Sequence, residues 1–204
     1  MPVSENKDWV FINCPFDDDY QELFRAILFT IYSCGFVPRC AFQEDDGSNT
    51  RIEKLYSIIE SCKYGIHDIS RTKPDSINHL PRFNMPFELG LFLGAKRYGN
   101  QKQITKICLI LDTEPYRYQK FLSDIAGQDI KAHKDNVDIA IKKIRDWLRV
   151  SSGNTSIPGD VVIKKRYQKF KKVLPNLSKK LGLDHKSITY IDLTLLISET
   201  LKTT

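Results

Sequence analysis

The chain has 204 residues, 41% apolar and 27% charged, proportions of an ordinary globular chain rather than a disordered one. Its longest stretch without a charge, Ala26 to Pro38, is 13 residues, short of the about 20 that a membrane-spanning helix needs. Met1 to Asp8 carries two acids and one Lys, where a secretory signal would be basic and then apolar.

Trp9-Val10-Phe11-Ile12 is a continuous apolar run, as a strand buried on both faces requires. Tyr20, Leu23, Phe24, Ile27, Leu28 and Ile31 then recur at helical spacing up to Gly35. Phe36 to Phe42 reads as a second strand, which Pro38 places towards an edge. Ile52, Leu55, Tyr56 and Ile59 mark a second helix, and Tyr64 to Ile69 a third strand. A long loop, Ser70 to Asn84, precedes a helix opening at Pro86 and reaching about Tyr98. Ile107 to Leu111 is the most strand-like run; a helix around Tyr118 to Ile125 and a weak strand near Asp129 to Ala132 follow. Val137, Ala140, Ile141, Ile144 and Trp147 mark another helix. Strands alternating with helices imply βαβ units, an α/β fold with a parallel sheet. Five units in residues 1–150 fit a flavodoxin-like order, 2-1-3-4-5.

Residues 151–159 (SSGNTSIPG) read as a linker. The segment 160–204 is helical, with Pro175 expected to kink or break its first helix and Gly182 to stop it. The formal charge of +6 belongs to this tail: residues 1–150 hold 21 Lys+Arg against 21 Asp+Glu, and residues 151–204 hold 10 against 4. A segment this short buries little alone, so it should dock on the sheet domain, on another copy or on a partner.

Ligands of open parallel sheets bind beyond the carboxyl ends of the strands, where the strand order reverses. Here that crevice lies between strands 1 and 3. It receives Asn13, Cys14, Pro15, Phe16 and Asp17 from strand 1, and Asp68, Ser70 and Arg71 from strand 3. The loop Gln43 to Asn49 can fold over it, and the helix after strand 3 brings Glu88 beside it.

Each residue has two readings. With Pro86 at the first helical position, Glu88 is at the third, where an acid complements the helix dipole. Position alone favours that reading. Against it, Leu89 to Ala95 is almost wholly apolar, so the helix is expected to be buried with its one acid in a crevice. Asp68 is either a loop-orienting hydrogen bonder or a site residue. Cys14 fits a small buried residue better than a nucleophile, and Asp17-Asp18-Asp19 fits a helix cap. Gly90 and Gly94 suggest close helix–sheet packing. Five Cys at irregular spacing without Cys-x-x-Cys suit a reduced cytosolic protein. Four scattered His give no reason to expect a metal site. Neither a dinucleotide-binding G-x-G-x-x-G nor a P-loop motif is present.

Val10-Phe11-Ile12-Asn13 resembles the opening box of Toll/interleukin-1 receptor (TIR) domains. GSNTRIEKLYSIIES (47–61) followed by Tyr64 to Ser70 resembles the family's second helix and third strand. Phe87-Glu88-Leu89 resembles the third-helix segment, whose Glu is catalytic in TIR enzymes. The resemblance covers roughly residues 8–150. It departs at Asn13-Cys14-Pro15-Phe16, where the box usually ends Ser-Tyr, and at Asn84-Met85, where Trp-Cys is common. Asp68-Ile69-Ser70 and Pro86 to Gly90 also resemble nucleoside 2-deoxyribosyltransferases, which points to a divergent, prokaryotic TIR-like branch.

Both relatives cleave an N-glycosidic bond. The resemblance implies an NAD glycohydrolase or cyclase with NAD as substrate rather than cofactor, and by extension a role in antiviral defence. In that role Glu88 would stabilise the oxocarbenium-like ribose, Phe16 or Phe42 would stack on the leaving base, and Arg39 or Arg71 would hold the pyrophosphate. A deoxyribosyltransferase-like enzyme acting on nucleosides is the second class. A non-enzymatic, self-associating interaction module is the third. Lys164 to Lys180 holds eight cations and no acid, with Tyr167 and Phe170 interleaved. This stretch is either a contact surface for nucleic acid or another partner, or a solvated face whose apolar stripe docks on the core.

Overall fold

Five parallel strands form one sheet in a computed structural model that describes residues 8–43, 46–72, 79, 81, 83–184 and 187–202. They are Trp9–Asn13 (β1), Val37–Arg39 (β2), Tyr64–Asp68 (β3), Ile107–Asp112 (β4) and Lys131–Ala132 (β5). Their order, β2-β1-β3-β4-β5, makes this a flavodoxin-like α/β fold, as expected. Six α-helices accompany them among the described residues: Gln21–Ser33 (α1), Arg51–Ser61 (α2), Asn84–Tyr98 (α3), Val137–Ser152 (α4), Asp160–Lys180 (α5) and Tyr190–Lys202 (α6). No helix is long and apolar enough to cross a membrane among them.

Alternation along the strands sorts the core. Val10 and Ile12 of β1, Ile66 of β3, and Leu109 and Leu111 of β4 face α1 and α4. Phe11 faces Leu55, Ile58 and Ile59 of α2 and Phe92 of α3, while Ile110 joins Leu89 of α3. Close helix–sheet packing does occur, but Gly65 provides it. A Cβ there would lie 2.7 Å from His67 Nε2 and 2.8 Å from Phe92 Cζ. Gly90 and Gly94 would have open space around a Cβ, which corrects the reading of that pair. α3 accordingly buries one face, Met85, Glu88, Leu89 and Phe92, rather than its whole circumference.

Other elements depart from their sequence patterns for local reasons. β2 is only Val37–Arg39 and passes into a 3-10 turn, Ala41–Gln43, as Pro38 lacks a ladder donor. α3 begins at Asn84, not Pro86; a proline within the first turn costs no hydrogen bond there. The expected helix near Tyr118 is two 3-10 turns, Arg117–Lys120 and Ser123–Ile125. β5 shrinks to two residues. α4 runs to Ser152 and is capped by Gly153 at φ 69°, so the connection begins at 153 rather than 151. Pro175 sits inside an unbroken α5. It lies on the exposed side, where water can satisfy the carbonyl that loses its donor. The loop from Ser70 to Asn84 lies largely outside the described residues.

The tail docks on the sheet domain. α5 buries Ile163, Tyr167, Phe170 and Leu174 in the core cluster that also holds α1 and α4. Phe29 of α1 meets the rings of Tyr167 and Phe170 at 5.5 and 5.3 Å. Tyr167 donates to the Glu22 carbonyl at 3.1 Å. In α6, Tyr190 donates to the Pro38 carbonyl at 2.9 Å. Each buried aromatic is worth about 1.5–3 kcal/mol, so the tail is held by its apolar stripe. Its cations lie off that stripe: Lys165, Lys169, Lys172, Lys179 and Lys180 are exposed, while Lys164 pairs with Asp160 and Lys171 with Glu22.

Candidate functional site

β1 and β3 are neighbours, with Asn13 opposite His67, so their carboxyl ends open together. The Asn13 amide donates to the Met85 carbonyl at 2.8 Å and lies 3.1 Å from His67 Nδ1. Burial, with the charge of Lys106, pushes the His67 pKa down to about 3. The ring is therefore neutral and its Nδ1 accepts from the amide. Asn13 thus fastens the end of β1 to the first turn of α3. Three residues beyond Met85, on the same helical face, stands Glu88.

Glu88 is 7% exposed. Burial raises its pKa from 4.5 to about 7, against the opposing charge of Arg51. As the fifth residue of α3 it lies past the first turn, which holds no acid, so the dipole-complement reading loses its geometric basis. It has no hydrogen bond or ion pair to a described residue. Cys14 and Cys40 lie within its electrostatic reach, and burial pushes both thiols well up. Neither is poised as a nucleophile. Glu88 is a buried carboxyl that switches ionisation near neutrality.

Asp68 is also buried, yet its carboxylate is saturated. It accepts from the Tyr20 hydroxyl and from the Ser70 N–H at 2.9 Å, and its Oδ2 lies 3.1 Å from His133 Nε2. Burial alone would raise its pKa; His133, Ser70 and Tyr20 outweigh that and hold it below the ordinary value. For His133, burial disfavours the imidazolium, but Asp68, Asp135 and Asp112 outweigh it and hold the pKa above ordinary. In the neutral ring, Asp135 N–H donates to Nδ1 at 3.0 Å, so Nε2 carries the proton facing Asp68. This constellation orients the loop after β3.

The remaining expected residues separate. Pro15 is buried. Asp17 caps the turn at Asp18–Tyr20, accepting from Tyr20 N–H at 3.1 Å, and lies 3.7 Å from Arg71. Arg71 is thus brought to the crevice rim, but Arg39 is not: its guanidinium stacks 4.1 Å from the Trp9 ring, at the opposite end of β1. Phe16 packs edge-on against Phe24 at 5.2 Å and Phe42 at 4.4 Å. Phe16 and Phe42 line a cleft of about 710 Å³ that also holds Arg25, Arg51, Lys54 and residues of α6. Glu88 does not line that cleft; Arg51 is the link between the two. Of the loop 43–49, Glu44 and Asp45 lie outside the described residues, while Gln43 accepts from Cys40 N–H at 3.3 Å and Asn49 lines the cleft.

Sequence reasoning missed Tyr20, Arg51, Asp112, Arg117 and His133. Asp112 Oδ1 accepts from Arg117 Nε at 2.8 Å and from Thr113 N–H at 2.7 Å. Arg117 also donates to Thr72 Oγ1 at 2.7 Å and to the Ser70 carbonyl at 2.8 Å, pinning the loop after β3 to β4. The available signal was positional: Asp112 ends an apolar strand as Asp68 does. Among the described residues no group of His, Cys, Asp and Glu is arranged to hold a metal ion. Comparison of the chain with protein-family models, curated proteins and solved structures finds no match.

Proposed function

We propose that this protein is a TIR-like enzyme that cleaves the N-glycosidic bond of NAD, with Glu88 as its catalytic carboxylate. One observation carries the reading. Glu88 is a buried carboxyl with no hydrogen bond or ion pair to a described residue, only the more distant charge of Arg51, beside the crevice where parallel sheets bind ligands. It is also the residue that the family resemblance marks. In the reaction the bond between ribose C1′ and nicotinamide breaks, and its electron pair neutralises the pyridinium nitrogen. No general acid is needed. Positive charge develops on the ribose, and an ionised Glu88 stabilises it. Water or an internal nucleophile then takes C1′, giving hydrolysis or cyclisation.

The proposal extends to a cytoplasmic setting, consistent with five unpaired cysteines, and to an effector role in antiviral defence, which rests on the resemblance alone. Incubation of the purified chain with NAD, with nicotinamide and nucleotide products separated, tests the activity. Nicotinamide release lost in Glu88→Gln supports it. Base release from deoxynucleosides instead would identify the transferase class. Self-association without either activity would leave an interaction module.

A further inference from the structure

His67 takes no part in the reaction as proposed, yet three elements build its seat. Its ring is wholly buried in β3, with Phe11 of β1 at 5.5 Å and Phe92 of α3 at 4.9 Å. Gly65 leaves it room, since a Cβ there would lie 2.7 Å from Nε2. Nε2 has no hydrogen-bond partner among the described residues. An apolar side chain would fill such a seat more stably, so what the imidazole adds is its one polar contact, Nδ1 against the Asn13 amide. That contact fixes the amide. The Met85 carbonyl only accepts, so the Asn13 nitrogen, at 2.8 Å, faces it. The same nitrogen lies 3.1 Å from His67 Nδ1, which in the neutral ring accepts the second N–H. Both amide protons are thus used within the protein. The tie lands on a turn with few polar ties of its own. Phe83, the N-cap of α3, makes no side-chain cap bond, and Pro86 in the first turn has no N–H to give.

We propose that Asn13 and His67 are positioning residues for Glu88: His67 fixes the Asn13 amide, the amide holds the first turn of α3 against the end of β1, and that turn keeps the Glu88 carboxyl in the crevice. The inference rests on the reading of Glu88 as the reacting carboxylate. Glu88 follows Met85 by three residues on the same helical face, so movement of the tied turn carries the carboxyl with it. With the tie cut, the turn frays and water reaches the carboxyl. Ionisation, which burial resists, then becomes easier. The other groups that act on Glu88 among the described residues are Arg51 of α2 and the thiols of Cys14, after β1, and Cys40, after β2. Lys106 is the charge that acts on His67. All four stay in place in the test.

Carboxyl-carbon NMR titration of the full chain, with the Glu88 signal assigned by its absence in Glu88→Gln, reads the positioning without turnover. Asn13→Leu removes both N–H groups. His67→Phe removes the acceptor and keeps a ring in the seat. Each should make Glu88 about tenfold more acidic, which lowers its midpoint from about 7 by about one pH unit. The two replaced together should recover stability, since neither partner is then left unpaired, yet keep the lowered midpoint. Nicotinamide release should lose about a hundredfold in kcat with KM little changed, and its pH profile should move with Glu88. A midpoint that stays near 7 in all three variants while the melting temperature of the single ones falls would make the tie structural only and overturn the proposal. So would a raised KM with an unmoved midpoint, the mark of Asn13 touching substrate. A midpoint that moves as expected, with no nicotinamide released by the wild-type chain, would keep Asn13 and His67 as the residues that hold Glu88 and defeat the cleavage reading alone.

Discussion

Replacing Glu88 by Gln removes a charge while keeping the size of the side chain. The carboxyl is raised from 4.5 to about 7 by burial. At about 1.4 kcal/mol per pH unit, ionising it in place costs the fold up to about 3 kcal/mol. Because the folded pKa lies above the unfolded one, the native state binds more protons between pH 4.5 and 7. Wild-type stability therefore falls across that window and levels off above it. Gln does not titrate, so Glu88→Gln should match the wild type near pH 4.5 and exceed it by up to about 3 kcal/mol at pH 8. In a chain this long that is a rise of about 6–12 °C in melting temperature. The same substitution should lower nicotinamide release by about 100- to 1000-fold or more, and wild-type turnover should rise with pH through about 7 as the carboxylate forms. Melting scans from pH 4.5 to 8, paired with nicotinamide assays, measure both. A stability difference that is the same at pH 5 and pH 8 would refute the buried-carboxyl assignment. A mutant that cleaves NAD like the wild type would remove Glu88 from the site.

Asp68→Asn should cost about 3 kcal/mol at pH 7. The penalty should shrink as the pH falls through the depressed pKa of Asp68, which denaturant midpoints at pH 7 and below pH 4 would reveal. Arg117→Met leaves the buried Asp112 carboxylate with its Thr113 N–H bond but without its ion-pair partner and should destabilise by about 3 kcal/mol, a loss that adding Asp112→Asn should partly restore. Deletion after Ser152 uncovers Phe29 and Phe24 and should abolish or greatly lower the cooperative melting transition; a truncated chain as stable as the whole would show the tail to be accessory. The exposed Lys165, Lys169 and Lys172 should carry any DNA binding, with a log–log salt slope of about 0.9 per phosphate contact; unchanged binding after all three become Gln would refute that.

The alternation of apolar strands with helical patterns determined the sheet, its order and the position of its carboxyl edge, since a strand buried on both faces and an amphipathic helix each leave a local periodicity. Glu88 was legible for the same reason: one acid in an apolar helix is a local anomaly. Asp68 was legible as polar but not in role, because Tyr20 and His133, 48 and 65 positions away in sequence, saturate it only after folding. Arg39 and Arg71 look alike in sequence, and only the fold turns one onto Trp9 and the other to the rim. The cleft was least legible. Its walls come from α1, α2 and α6, and no spacing along the chain records that Tyr190 reaches Pro38 across 152 positions. Periodicity encodes which face of an element is buried, whereas which elements share a cavity is decided by packing between distant segments.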